Sequence, residues 1–385
     1  MKINQVQDLV NSALKEVNGT SALLKDDLSN TVDVGKEIID SDNVDNYVHK
    51  LIDRVGQTVF NNRVYQGNAP SLLMTSWQYG SILEKIDTDL PKAEQNDSWS
   101  LQDGQEYKQD IFYQPKVTAK FFNSKTTFDI PLSFTSQQVQ SSFNSATELN
   151  GFISMLMQSV QNAMTVNIDN LIMRTLNNMT GTVLNANKPL SSINLLANYN
   201  TATGQSLTAN KALTDKEFLR YATAKINTLQ NRLTKISTLF NLGAKQRFTP
   251  LANQHLILLS DFSDNANTYL KADTFNSNDV GLNNSYDVVP YWQGTGTDYS
   301  FNNTSAIDVA IKDGTTTKEI KQSGIIGVLA DSSSVGVACQ NLRTTTAQNA
   351  KAEFYTNFTK FDAMYFNDSN ENYIVFYVAD ATESN

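Results

Sequence analysis

The chain has 385 residues, of which 40% are apolar and only 18% charged, with a formal net charge of −9. That length suits roughly two domains and a sizeable core. The acidic balance, with Lys and Arg scattered and not striped, excludes a dedicated duplex-DNA binder, whose affinity comes largely from cations neutralising phosphates. A single cysteine, Cys339, excludes an intramolecular disulfide framework, and its small neighbours Val337 and Ala338 suggest a buried packing role. The start, Met1 to Gln5, is not a secretory apolar stretch, and the best apolar runs, 256–259 and 325–329, are too short to span a bilayer. A protein made in a cytoplasm and without membrane spans is expected.

Residues 1–45 read as a polar arm, with one short amphipathic helix carried by Val6, Leu9, Val10, Leu14 and Val17. A lead-in helix over 45–60 follows, with Val48, Leu51, Ile52, Val55 and Val59 on one face, then an extended segment at 81–86. Residues 87–116 are dense in charge and polarity. A structureless loop of that length is improbable inside a compact domain, so the spacing predicts a projecting two-stranded excursion closed at its base by flanking strands. Val117, Ala119 and Phe121 alternate, Asn123-Ser124-Lys125 turns, and Phe128, Ile130, Leu132 and Phe134 alternate again, predicting a hairpin with one apolar face. Pro131 removes a backbone donor and places its strand at an edge or a bulge.

Apolar residues from Leu149 through Ile153, Leu156, Val160, Ile168, Ile172 and Leu176 recur at three- and four-residue steps. They predict a helix over 147–178, a rod of about 48 Å at 1.5 Å per residue. A long helix laid across a sheet is a better reading than a coiled coil, because Asn, Gln and Ser occupy the positions a coiled coil would charge. Residues 181–213 read as a loop region. Thr214-Asp215-Lys216-Glu217 is a capping box opening a second helix whose buried stripe is Leu219, Ala222, Ile226, Leu229 and Leu233. Strands are expected at 255–259, 286–291, 306–311, 324–330, 352–358, 361–367 and 372–379.

Chemistry is hard to find. His49 and His255 are the only imidazoles, neither lies at metal-ligand spacing, and one cysteine cannot complete a zinc site. No phosphate-binding loop or nucleophile elbow occurs, and Gly294-Thr295-Gly296 reads as a turn. The acidic pairs Asp261/Asp264 and Asp87/Asp89 read as solvated faces or caps. An enzyme, a cofactor and a metal are therefore not expected.

The order of these parts, from polar arm through charged excursion and very long helix to final strands, is similar to the Hong Kong 97 phage-capsid fold, an α+β architecture. Local stretches sharpen the likeness: 48–56 and Tyr79-Gly80-Ser81-Ile82-Leu83-Glu84-Lys85-Ile86 resemble the approach to the extended loop in small short-tailed phages of Gram-positive hosts, the phi29-like group. Ile325 to Asp331 and Glu353 to Phe358 resemble the closing strands of such capsids. The resemblance implies an N-terminal arm at 1–45, a peripheral-domain lead-in helix and strand at 46–86 and an extended loop at 87–116. It further implies a peripheral domain with spine helix at 117–180, an axial domain at 181–340 and closing peripheral strands at 341–385.

The function so implied is that of a major capsid protein. It would assemble into pentameric and hexameric capsomers of an icosahedral or prolate shell, around a scaffolding protein and with a portal, in the host bacterial cytoplasm. The shell would enclose double-stranded DNA without sequence-specific binding. Contacts to neighbouring subunits are expected from Asp87, Asp89, Lys92, Trp99, Lys108 and Tyr113. Lys85, Lys92 and Lys108 lie where some family members form Lys–Asn cross-links, but no pattern here supports one. Neither cleavage of the short polar prefix nor an added immunoglobulin-like domain is expected. Two other readings stand beside this one. An encapsulin-like compartment shares the fold. A carbohydrate-binding or carbohydrate-processing protein would need Trp77, Trp99 and Trp292 to converge on a cleft with carboxylates.

Overall fold

Two apolar runs, Leu256–Leu259 and Ile325–Leu329, form inner strands of a five-stranded sheet because strands buried on both faces need apolar residues at every position, not every second one. The computed structural model describes residues 11, 63–73, 82–107, 110–135, 146–272, 286–295 and 305–380. Two compact units divide the chain: Met1–Arg63 with Thr147–Met155, and Val64–Ala146 with Leu156–Asn385. In the first, the described stretch is helical backbone over 147–155. Apart from Asn11, which is helical, the expected helices at 6–17 and 45–60 lie outside the described residues.

Elements in chain order are β1 (Leu83–Thr88), β2 (Val117–Phe122), β3 (Lys125–Thr135), α1 (Ala146–Ala186), β4 (Ser192–Asn194), α2 (Leu195–Thr203), α3 (Ala209–Ala212), α4 (Lys216–Leu233), β5 (Gln254–Leu259), α5 (Ser260–Ala272), β6 (Asp287–Val289), β7 (Gln293–Gly294), β8 (Ala306–Asp313), β9 (Thr316–Gln322), β10 (Ile325–Asp331), β11 (Val335–Asn349), β12 (Phe354–Asn367) and β13 (Tyr373–Tyr377).

The central sheet has the order β4-β13-β10-β5-β6, antiparallel at β13-β10-β5 and parallel at both edges. Its strands alternate between two cores. Ile257, Leu259, Val328 and Val375 face one core with Leu171, Ile172, Leu176 and Val183 of α1 and Ile307, Val309 and Ile311 of β8. Leu256, Leu258, Leu329 and Phe376 face the other, with Leu195 of α2, Phe218, Ile226 and Leu229 of α4, and Phe262 of α5. Gly327 is required where β10 and β5 run closest: a Cβ there would lie 2.7 Å from the Ile257 carbonyl oxygen.

The long helix is real and longer than its periodicity indicated, running on to Ala186. Leu171, Ile172 and Leu176 are buried as expected, whereas Ile153 is exposed. Between 171 and 183 the helix is buried on most sides, so polar residues at Thr175, Asn177 and Thr180 enter the core and the simple stripe ends early. Thr180 and Tyr373 satisfy one another there, their hydroxyls 2.9 Å apart.

Several expectations need correcting. The region 181–213 is not a loop: the Asn194 side chain caps α2 by accepting from Ala197 N, and Leu195, Leu196 and Tyr199 bury against α4. The cap of α4 is Asp215, one residue later than the box suggested, accepting from Phe218 N at 2.8 Å. The expected stripe of that helix is buried throughout. β2 and β3 do not form a hairpin with each other; β2 pairs with β1, and β3 pairs with β12 in the sheet β11-β12-β3. β3 is an edge of that sheet, as Pro131 required. The strands expected at 352–358 and 361–367 are one continuous strand, β12. Its partner β11 carries a Thr- and Gln-rich half with no alternation to reveal it. Cys339 is exposed, not buried, because β11 leaves the core after Ala338 and its remaining residues are exposed or half-buried. Partial desolvation still pushes its thiol up to about 11.

Candidate functional site

Residues 87–116 leave the body of the subunit through a two-stranded ladder. β1 and β2 pair antiparallel from Leu83↔Phe122 to Thr88↔Val117, and Asp89 N donates to Lys116 O at 3.0 Å, closing the base. Beyond that point the excursion is not two-stranded. Among the described residues of 90–116 the only regular structure is one 3₁₀ turn, Asp97–Trp99, capped by Asn96, because no apolar face is buried that could hold a ladder together.

The ladder places Lys85 directly opposite Lys120, a cross-strand pair that would repel if left alone. Asp368 lies between them, its side chain wholly buried, 3.1 Å from Lys85 Nζ and 2.8 Å from Lys120 Nζ. Lys85 also donates to the Ser333 carbonyl and lies 4.9 Å from the centre of the Phe366 ring. Burial by itself would raise the Asp368 carboxyl, but the Lys120 hydrogen bond and the Lys85 charge hold it below the ordinary carboxylate range. A second group of ions flanks the first. Arg247 contacts Asp87 at 2.5 Å and Glu371 at 3.2 Å, and Lys245 contacts Asp89 at 3.4 Å. Burial pushes Glu371 above its ordinary value, an effect that Arg247 and Lys85 only partly offset. Phe122 packs on Phe366 with ring centres 5.1 Å apart, so the ladder also rests on the base of β12.

Beyond this clamp the excursion gathers exposed apolar side chains. Trp99 is 100% exposed and Phe112 87%, with Leu90, Leu101, Tyr107, Ile111 and Tyr113 also exposed on the same excursion. Exposed apolar groups gathered on one element mark an interaction surface. Of the residues singled out from sequence, Asp87 and Asp89 are engaged within the chain at the base. Lys92 and Trp99 are exposed beyond it, and Tyr113 donates its hydroxyl to Glu94 at 3.3 Å. Lys108 lies outside the described residues. Sequence reasoning missed Asp368, Lys120, Arg247 and Glu371. It read Val117, Ala119 and Phe121 as the buried face of β2, yet those three are exposed while Lys120 and Phe122 turn inward.

Among the described residues no group of His, Cys, Asp and Glu could hold a metal, and no helix is long and apolar enough to cross a membrane. Trp292 is fully buried whereas Trp99 is fully exposed, so these two do not line one cleft, and the carbohydrate reading finds no support.

A spine helix and α+β body with a loop held out on a two-stranded base define a shell subunit of the Hong Kong 97-like class. The chain belongs to the phi29-like phage major capsid protein family, whose model matches residues 6–377. Among solved structures it is similar to a chain in the capsid structure of Staphylococcus phage Andhra, with TM-score 0.55 and 11% identity over 84% of this chain and 87% of that one. It is similar also to a chain in a structure of native bacteriophage P68 covering its head fiber and inner core protein, with TM-score 0.54 and 10% identity over 83% and 87%. None of the curated proteins matches. The protein is thus a phage major capsid protein, a structural component of the virion that assembles into multi-subunit capsomers.

Proposed function

We propose that the excursion beyond Asp89 is the extended loop by which each subunit lies over its neighbour, and that Trp99, Phe112 and Tyr113 are its anchors. The observation that carries this reading is the contrast between a base fixed by ion pairs to buried Asp368 and a tip whose aromatic side chains are exposed. Burying such side chains against a second subunit contributes roughly 25 cal/mol per Å² of apolar surface. The capsomers are pentamers and hexamers of an icosahedral or prolate shell, formed around a scaffolding protein and completed by a portal in the host bacterial cytoplasm. They enclose double-stranded DNA without gripping it, in keeping with the net charge of −9.

The arm at 1–45 passes beneath another subunit. The axial domain spans 181–340 and takes β13 from the closing segment, since that strand lies between β4 and β10. Peripheral segments are 46–86, 117–180 and the remainder of 341–385. Deleting 90–112 is the test: the subunit should fold with unchanged circular dichroism yet close no shells in sedimentation and negative-stain microscopy. Shells closing normally would remove the excursion from this role.

A further inference from the structure

The segment that clamps the foot of the excursion has an outer side that the clamp does not use. Residues 232–251 hold Arg232, Lys235, Lys245 and Arg247 and no acid. Leaving α4, the chain doubles back on itself: Ser237 and Arg247 exchange both backbone hydrogen bonds, at 2.9 and 3.0 Å, and Thr249 N donates to Leu233 O at 2.7 Å. Asn241 ties the turn together, its side chain accepting from Lys245 N and donating to Lys245 O. Leu242 N and Gly243 N both donate to Ser369 O, which fixes the turn to the segment carrying Asp368. The loop is therefore preorganised, and its register sets Ile236 across from Phe248.

Lys245 and Arg247 are engaged by Asp89, Asp87 and Glu371. Arg232 and Lys235 remain exposed, beside four exposed apolar residues, Ile236, Leu239, Phe248 and Leu251. The excursion has the converse character. Between 90 and 113 it carries Glu94, Asp97, Asp103, Glu106 and Asp110 against Lys92 and Lys108, interleaved with its exposed aromatics. One surface is basic and apolar, the other acidic and aromatic, and such complementarity steers partners and sets their register. A nucleic acid would match the cations but not the four apolar side chains.

We infer that the excursion of one copy docks on the basic loop 232–251 of a second copy. This rests on the role proposed for the excursion and adds the surface that receives it. The test is a charge exchange in bacterial cells where the full-length variant is the only source of this chain, with shells read by sedimentation and microscopy. Arg232→Glu with Lys235→Glu, and separately Asp97→Lys with Asp103→Lys and Glu106→Lys, should each cut shell yield about tenfold or more through like-charge contact. All five together should restore it. All are exposed positions, so circular dichroism of each subunit should match the parent. If the loop variant assembles normally while deletion of 90–112 does not, the excursion keeps its role and the receiving surface lies elsewhere. Failure of the five-fold variant to recover also overturns the docking. So does a loop variant that closes shells but fails only to retain DNA. Normal assembly of the deletion would overturn the excursion's role itself.

Discussion

The central sheet and the excursion solve opposite problems with the same chain. β5 and β10 bury both faces between helices, so their side chains find all their partners within the subunit. The excursion is secured at its foot, by six charged groups gathered from distant turns, and beyond it presents Trp99 and Phe112 to solvent. The difference separates what makes the subunit fold from what makes it join others. Apolar burial inside the body gives stability, whereas the apolar area on the excursion becomes favourable only when another molecule covers it.

The comparison can be broken most forcefully in the body. Leu176→Ala removes a fully buried side chain of α1 and should cost about 2–5 kcal/mol in denaturant unfolding of the unassembled subunit. An effect below about 1 kcal/mol would show that the spine is not part of the stabilising core. Next is the foot. Asp368→Asn leaves Lys85 and Lys120 facing each other without their shared anion and should cost about 3 kcal/mol, the low end for a broken buried pair because both lysines reach solvent. Limited proteolysis should then cut within 90–116 faster than in the parent.

Acid sharpens the same contrast. Asp368 has a folded pKa below its ordinary 3.8. Its contribution is complete above that value and is lost as pH falls through the lower folded one. Glu371 is raised, so it takes up a proton first in the folded state, and acidification between its ordinary 4.5 and the raised value favours folding. Stability measured against pH should therefore hold or rise slightly on first acidification and fall only below the ordinary aspartate range. In Asp368→Asn the later fall should be shallower. An unchanged acid limb in that variant would remove Asp368 from the balance. The smallest effect on folding belongs to the tip: Trp99→Ala should shift unfolding by less than about 0.5 kcal/mol, as for an exposed side chain, while lowering shell yield sharply. Equal yields from variant and parent would show that Trp99 anchors nothing.

Much of the body was legible because its signals are local. The apolar runs at 256–259 and 325–329, the stripe from Leu219 to Leu233, the flanking strands of the excursion and the edge position of Pro131 all follow from side-chain periodicity or a missing donor. The errors share another cause. β11 has a polar half that is a strand only because β12 runs beside it, and β2 was assigned the wrong face. Lys120 points inward because Asp368, 248 positions away, waits for it there. Likewise α2 appeared as loop until Asn194 capped it and α4 covered it.

The chain alone thus determined an α+β body with one very long helix and a charged segment pointing away from it, since each depends on neighbours within a few turns. Tertiary structure decided which strands pair, which face of β2 is buried, and how the excursion is held at its foot. Those depend on ion pairs and ladders between residues more than a hundred positions apart, where electrostatic and packing partners leave no periodic trace in sequence.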